Sequence, residues 1–330
     1  MRIMTVFRGG GLAAALALAA MPLIPATAQD PAQRPAAQPP GQIGAPAGTG
    51  RYPAIAESRS DAPGYTLYRP ATLPRQPLPL VVWGNGGCRD EGLSASHFLR
   101  EIASHGYVVI ANGTPRSEMP VRSADMPPPP PAPAGAPPPA ERRTPDETSV
   151  AQMLAAIDWA TAAATRPGDA LRGHVDLSHI AVMGHSCGGL QALAAGADPR
   201  VSAVMALASG VYIRAGNGIS GVQIGKDDLK RLHTPVAYIL GGPTDIAYAN
   251  GMDDFARIDH VPVMAANLGV GHGGTFVRAN GGEWARVAVL WLDWQLKRSR
   301  QAGRWFTGPD CRLCRDSAWT VARKNFPEKP

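Results

Sequence analysis

The chain has 330 residues, 45% of them hydrophobic, which is the composition of a globular protein with a substantial core. Its formal net charge is only +6 at pH 7, and it has no basic block with interleaved aromatic residues, so nucleic-acid binding is not expected. No metal cluster, dinucleotide-binding fingerprint or phosphate-binding loop is recognised, and no cofactor is expected.

Residues 1–28 have the pattern of a secretory signal peptide. Arg2 and Arg8 precede an apolar run over residues 11–24, and small residues mark a cleavage site after Ala28. The alternative is a membrane anchor, but the run is shorter than the roughly 18 to 20 residues that a span needs. The sequence therefore predicts a secreted or periplasmic protein with no stable membrane span after cleavage.

Residues 29–51 are rich in alanine, proline, glutamine and glycine and contain almost no large apolar side chain. Such a segment buries too little surface to offset the entropy of ordering, so a disordered linker is expected. Residues 52–330 are then left for one large domain, which we expect to be a monomer.

Strands and helices alternate in the first part of this domain. A strand is predicted over residues 64–70, and the continuous apolar run 78–83 is typical of a central strand buried on both faces. A helix over residues 94–104 and a strand over 107–111 follow. This alternation predicts a parallel sheet with helices on both faces.

A proline-rich tract over residues 126–140 interrupts the alternation. It could be a mobile lid or a ligand for a partner, but an exposed insertion is the simpler interpretation, because nothing aromatic or charged specifies a partner. Helical spacing resumes after Asp146 or Thr148, the candidate caps.

Residues 179–193 carry the strongest motif. A β-branched apolar run breaks at Gly184, presents Ser186, passes Gly188 and continues as an alanine- and leucine-rich helix. This pattern is typical of a nucleophile elbow, where a strained turn exposes the serine and the glycines avoid collisions. Ser186 is therefore the candidate nucleophile.

The remaining predicted elements follow the motif, and Pro262 favours a sheet edge for the last strand. They are strands over residues 201–208, 235–240 and 261–267, a short helix over 227–233 and a long helix over 283–297.

A serine nucleophile needs a base, and the base needs an anion that orients it. Asp245 and His272 each follow a later strand in a glycine-rich loop, and the ends of parallel strands open at one edge of a sheet. We therefore predict a catalytic triad of Ser186, Asp245 and His272, in the chain order of α/β-hydrolases. The alternative for Asp245 is a simple turn residue.

Other titratable side chains receive structural interpretations. His185 adjoins the nucleophile but points away from it, so packing or hydrogen bonding is expected. Solvated or capping roles are expected for the aspartates inside predicted helices, and structural roles for the other histidines near helices and strand starts. These residues are Asp253, Asp254 and Asp293, and His97, His105 and His260.

Two N–H groups must bind the oxyanion. We predict the amides of Cys187, directly after the nucleophile, and of Gly86, with Asn85 and Gly87 as near alternatives. If the two amides meet at one oxyanion, Cys88 lies within disulfide distance of Cys187.

The remaining cysteines, Cys311 and Cys314, then pair with each other. Bridges from this tail to the active site, and a free, reactive Cys187 thiol at a helix N-terminus, are the alternatives.

At these motifs the chain resembles the α/β-hydrolase superfamily, and within it dienelactone-hydrolase-like esterases and bacterial cutinase or polyester hydrolases. The matching segments are residues 102–110, 175–189, 241–245 and 289–294. The resemblance implies an α/β-hydrolase fold with a mostly parallel central sheet and little or no cap domain. The chain departs from those polyester hydrolases in its oxyanion loop, which lacks an aromatic residue, and in having Cys187 where methionine is common.

The predicted function is a secreted serine hydrolase that cleaves carboxylic ester bonds through an acyl-enzyme on Ser186. A serine peptidase or acyltransferase on the same triad, or a binding protein of the same fold, are the alternatives. Residues 210–232 are too few for a large cap, which predicts a shallow cleft for short acyl chains or for the exposed ester bonds of a small molecule or a polymer.

Overall fold

The apolar runs of the sequence assemble into one ten-stranded sheet in the computed structural model. The structure describes residues 41–116, 118–121, 147–213 and 222–328. The predicted signal peptide, residues 29–40 of the predicted linker and the proline-rich tract lie outside the described residues.

The described strands are β1 (Gln42–Ala47), β2 (Ala54–Ser58), β3 (Tyr65–Pro70), β4 (Leu78–Gly84), β5 (Val108–Asn112), β6 (Val175–His185), β7 (Val201–Leu207), β8 (Val236–Leu240), β9 (Val263–Leu268) and β10 (Trp319–Lys324). Their order across the sheet is β1-β2-β3-β5-β4-β6-β7-β8-β9-β10. The six strands β5-β4-β6-β7-β8-β9 run parallel to one another, and β1, β2, β3 and β10 pair antiparallel with their neighbours. The predicted mostly parallel sheet is confirmed.

Helices cover both faces of this sheet, as the alternation predicts. They are α1 (Ser96–Ser104), α2 (Val150–Thr165), α3 (Cys187–Ala195), α4 (Tyr248–Arg257), α5 (Gly282–Gln295) and the short α6 (Arg300–Gly303). None of the helices in the described ranges is both long and apolar enough to cross a membrane.

The central strands are apolar at every position because both of their faces are buried. Along β4, Val81 and Trp83 pack into the core that α1 and α5 cover. The alternate residues Leu80 and Val82 pack into the opposite core, which α2 and α3 cover. The sheet is therefore a rigid platform whose carboxyl edge carries the loops described below.

Part of the segment that the sequence assigns to the linker has regular structure. The predicted linker is wrong for residues 42–47, which form β1 and pair antiparallel with β2. Arg100 donates a hydrogen bond to the Ile43 carbonyl oxygen at 2.8 Å, and the Thr49 amide donates to the Glu101 carboxylate at 2.7 Å. These partners lie about fifty residues away in the chain, so local composition does not reveal them.

The prediction that the strand over residues 261–267 forms the sheet edge is also wrong. β10 pairs antiparallel along all of β9, from Trp319 opposite Leu268 to Lys324 opposite Val263. Pro262 precedes β9, so its missing N–H does not interrupt the ladder.

Of the two predicted caps of α2, Asp146 lies outside the described residues, and Thr148 is one residue before the observed cap. Ser149 is the N-cap, and its hydroxyl accepts a hydrogen bond from the Gln152 amide at 3.1 Å. Thr148, one of the predicted caps, instead donates its hydroxyl to the Cys88 carbonyl oxygen at 3.0 Å.

Candidate active site

Three loops at the carboxyl edge of the sheet bring together the three residues of the predicted triad. Ser186 follows β6, Asp245 follows β8, and His272 follows β9. Nε2 of His272 lies 3.0 Å from Oγ of Ser186, and Nδ1 of His272 lies 2.7 Å from Oδ1 of Asp245. The side chains thus form one continuous hydrogen-bonded chain, although 86 residues separate the serine from the histidine.

The turn between β6 and α3 presents Ser186 in a strained conformation. Its φ is 53° and its ψ is −119°, in a region that residues with a side chain rarely adopt. Gly188 allows the turn to be this tight, because a Cβ there would lie 2.1 Å from the backbone of Gly84. The hydroxyl of Ser186 consequently stands at the start of α3, near the positive end of that helix.

The Asp245 carboxylate is buried and accepts three hydrogen bonds. It accepts hydrogen bonds from the backbone amides of Gly241 at 3.0 Å and Ala247 at 2.9 Å, besides the bond from His272. Burial alone raises the pKa of Asp245, but these three hydrogen bonds outweigh it and hold the pKa below its usual value. The charged carboxylate therefore orients His272 with Nδ1–H towards Asp245 and the Nε2 lone pair towards Ser186.

His185 lies outside this chain, in the hydrogen-bonding role that the sequence predicts. Its Nε2–H donates to the backbone carbonyl oxygen of His272 at 2.8 Å, and its ring packs against Phe276 with the centroids 4.8 Å apart. Burial lowers the pKa of His185 to about 4. The ring is neutral at pH 7 and serves as a donor.

The predicted oxyanion donors, Gly86 and Cys187, lie on two different segments. Gly86 opens a short 3₁₀ turn after β4, and Cys187 is the first residue of α3. A Cβ at Gly86 would lie 2.5 Å from Nδ1 of His185, so the loop requires glycine there. Within the described part of the chain, neither amide N–H donates a hydrogen bond, which leaves both free for an oxyanion.

Asn85 has a role that the sequence did not reveal. It is 1% exposed, and its Oδ1 accepts hydrogen bonds from Nε1 of Trp83 at 2.9 Å and from the Ser94 hydroxyl at 3.2 Å. Its Nδ2 donates to the carbonyl oxygen of Asn112 at the end of β5. The side chain ties the loop of Gly86 to β4 and β5. Its position within a glycine-rich loop was the only local signal.

All four cysteines are paired as predicted. Cys88 and Cys187 form a buried disulfide with their Cα atoms 5.2 Å apart, and Cys311 pairs with Cys314. The alternatives of a free Cys187 thiol and of a bridge from the tail to the site are wrong. The first disulfide joins the loop of Gly86 directly to the first residue of α3.

A small cleft of about 60 Å³ opens beside the serine. Its walls include Leu190 of α3, Tyr212 and Asn250, and the entrance carries Ile246, whose side chain is 80% exposed. The cleft therefore combines the Ser186 hydroxyl with mostly apolar walls.

The other candidate histidines have structural partners. His97 and His260 each contact a backbone carbonyl oxygen at 2.8 Å, and His105 pairs with Glu101. Asp253 has the solvated role expected of it, in an ion pair with Arg257.

Two of the helix aspartates differ from expectation. Asp293 accepts a hydrogen bond from the hydroxyl of Tyr107 at 2.7 Å. Asp254 is fully buried, so the solvated or capping role expected for it is wrong: a helix position alone does not tell which face meets the core.

Among the residues that the structure describes, no three histidine, cysteine, aspartate or glutamate side chains form a group that could hold a metal ion. A scan against models of known protein families found no match, and a search of the curated proteins found none either.

Proposed function

We propose that this protein is a serine hydrolase of the α/β-hydrolase type that cleaves carboxylic ester bonds. The observation that carries the proposal is the hydrogen-bonded chain from Ser186 through His272 to Asp245 at the carboxyl edge of a mostly parallel sheet. The strained turn at the serine supports the same chemistry, as do the amides of Gly86 and Cys187, which donate no hydrogen bond to any residue that the structure describes.

The reaction begins with attack of Ser186 Oγ on the ester carbonyl carbon while Nε2 of His272 takes the hydroxyl proton. Asp245 stabilises the imidazolium that forms, and the amides of Gly86 and Cys187 donate to the oxyanion. The tetrahedral intermediate collapses, and His272 returns the proton to the leaving alcohol. Water then attacks the acyl-enzyme, again with His272 as base, and releases the carboxylic acid.

The shape of the cleft favours a small acyl group. The cleft is small, at about 60 Å³, and the exposed Ile246 adds an apolar surface to its lining. The two disulfides favour an oxidising compartment, in keeping with the secretory signal that the sequence predicts.

A p-nitrophenyl ester series tests the proposal, with the Ser186→Ala variant as the control. We expect hydrolysis that is fastest for acetate and butyrate and that Ser186→Ala abolishes. A p-nitroanilide with the same acyl group tests the peptidase alternative and should be cleaved far more slowly. The proposal is contradicted if the folded wild-type protein hydrolyses none of the esters, or if Ser186→Ala retains the wild-type rate.

A further inference from the structure

Asp254 of α4 is a buried carboxylate that the proposed reaction does not use. The residue has no exposed surface. Its carboxylate accepts hydrogen bonds from Nζ of Lys226 at 2.6 Å and from the backbone amide of Val211 at 2.7 Å. The hydroxyl of Tyr238, within β8, donates a third at 3.2 Å.

These contacts converge on one wall of the cleft beside Ser186. Val211 lies between Gly210 and Tyr212, both of which line the cleft. Asn250, also in the wall, accepts a hydrogen bond from Lys226 on its backbone carbonyl oxygen at 3.1 Å. The carboxylate of Asp254 therefore links the two segments that form this wall.

The two segments also touch directly. A Cβ at Gly210 would lie 2.3 Å from the backbone nitrogen of Gly251, so the loop after β7 packs backbone to backbone against α4. The side chain of Asn250 accepts a further hydrogen bond from the Ile213 amide at 3.3 Å. Because this packing is so close, a small shift of the loop changes the width of the cleft.

Stability alone does not account for the charge. Burial raises the pKa of Asp254 to about 6, although Lys226, Val211 and Tyr238 all act to lower it. A carboxylate with a raised pKa is ionised at pH 7 at a net cost to the folded state. Buried ion pairs are often no more stabilising than apolar residues of the same volume. This favours a role for the Asp254–Lys226 pair in positioning the residues around it.

We propose that Asp254 is a positioning residue which, together with Lys226, fixes the cleft wall formed by residues 210–212 and Asn250 and thereby sets the size of acyl group that the enzyme prefers. The proposal rests on the proposed ester hydrolysis. Asp254 acts through the backbone of Val211 and does not touch the substrate.

The Asp254→Asn variant keeps the shape of the side chain but cannot keep all three of its hydrogen bonds. The carboxylate accepts from three donors, whereas an amide has one acceptor oxygen and an NH₂ group. In either orientation that NH₂ group faces a donor, from Lys226 or from Val211. The matched control is Asp253→Asn, because Asp253 also pairs with Lys226, at 2.8 Å, but lies at the surface in the helix next to the target.

The experiment measures kcat and KM for p-nitrophenyl acetate, butyrate and hexanoate in both variants. For Asp254→Asn we expect kcat/KM for the butyrate ester to fall about tenfold, mainly through KM, with kcat/KM for the acetate ester changed less than about twofold. Labelling of Ser186 by a small fluorophosphonate should keep its wild-type rate, and Asp253→Asn should match the wild type throughout. An equal loss for every ester, or an unchanged acyl preference, would overturn the proposal.

A second readout does not depend on activity. Hydrogen exchange at the amides of Val211 and Ile213 should be faster in Asp254→Asn than in Asp253→Asn, and unchanged exchange contradicts the proposal. If Asp254→Asn fails to fold, Lys226→Met replaces it, with the same expected changes in preference and exchange. Absence of ester hydrolysis and labelling in the wild type would instead refute the proposed function, and the exchange comparison would still decide the role of Asp254.

Discussion

His185 holds the loop of His272 by a hydrogen bond from its Nε2–H to the backbone carbonyl oxygen of His272 at 2.8 Å. The centroids of the two imidazole rings lie 5.2 Å apart. Since His185 directly precedes Ser186, the strand that carries the proposed nucleophile also positions the proposed base. The distance between Ser186 and His272 therefore depends on a side chain that takes no part in the proposed proton transfer.

Replacing His185 by phenylalanine should lower kcat for p-nitrophenyl acetate about tenfold, because the ring packing is kept but the donor to the His272 loop is lost. Glutamine, which supplies an N–H, should recover part of the loss. Steady-state kinetics of the two variants check this. Wild-type kcat in the phenylalanine variant would show that the hydrogen bond does not position the base.

Removing His272 or neutralising Asp245 tests the triad itself. His272→Ala should lower kcat by about three orders of magnitude or more, and Asp245→Asn should cost a similar factor, because the charge that orients the imidazole is lost. His272 lies in a glycine-rich loop, so its replacement should leave the circular dichroism spectrum and the melting temperature nearly unchanged. Turnover at the wild-type rate in either variant argues against the assigned roles.

The neutral His185 makes stability depend on pH. Its pKa is lowered from 6.5 to about 4 by burial, so above pH 6.5 the imidazole is neutral in both states. Below 6.5 only the unfolded chain takes up the proton, and stability falls as the pH falls towards 4. Between pH 7 and pH 5 the contribution of this residue is a loss of about 2 kcal/mol.

Urea unfolding of the wild type and of His185→Gln at pH 7 and pH 5 measures that loss. The variant should lose less stability than the wild type by about the same 2 kcal/mol. Equal pH dependence in the two proteins would show that His185 is protonated in the folded state.

The two disulfides should differ in what their removal costs. Cys88 and Cys187 are 99 residues apart in sequence, and Cys311 and Cys314 are 3 apart. Loop-closure entropy predicts a loss of about 4 to 5 kcal/mol for the double alanine variant of the first pair and about 2 kcal/mol for the second.

Only the first pair should affect catalysis, because it joins the loop of Gly86 to the start of α3. Urea unfolding and kcat of the two double variants check both statements, with the second pair as the control for the first. Equal kcat in the two variants would mean that the Cys88–Cys187 bridge does not maintain the oxyanion donors.

The sequence revealed those parts of the molecule that depend on local patterns. A window of about fifteen residues is enough to recognise the apolar runs of β4 and β6 and the glycines around Ser186. The proximity of Asp245 and His272 to Ser186 could be predicted from one rule, that parallel strands end at the same edge of a sheet.

The parts that escaped prediction depend on distant partners. The segment of β1 and the residues just after it is hydrogen-bonded to Arg100 and Glu101 of α1. β10 forms its backbone ladder with β9. The sequence predicts Asp254 to be a surface residue of a helix, since nothing near it in sequence reveals its hydrogen bonds from Lys226 and Val211. Such contacts are fixed by tertiary packing and leave no periodic signal.

Stoichiometric labelling with a fluorophosphonate tests the central claim most directly, because the reagent reports a hydroxyl activated by a neighbouring base. The folded wild-type protein should gain the mass of one label, and peptide mapping should place it on Ser186; unfolded protein and the Ser186→Ala and His272→Ala variants should gain none. No adduct on the folded wild type, or an adduct that persists in Ser186→Ala, would contradict the assignment of Ser186 as an activated nucleophile.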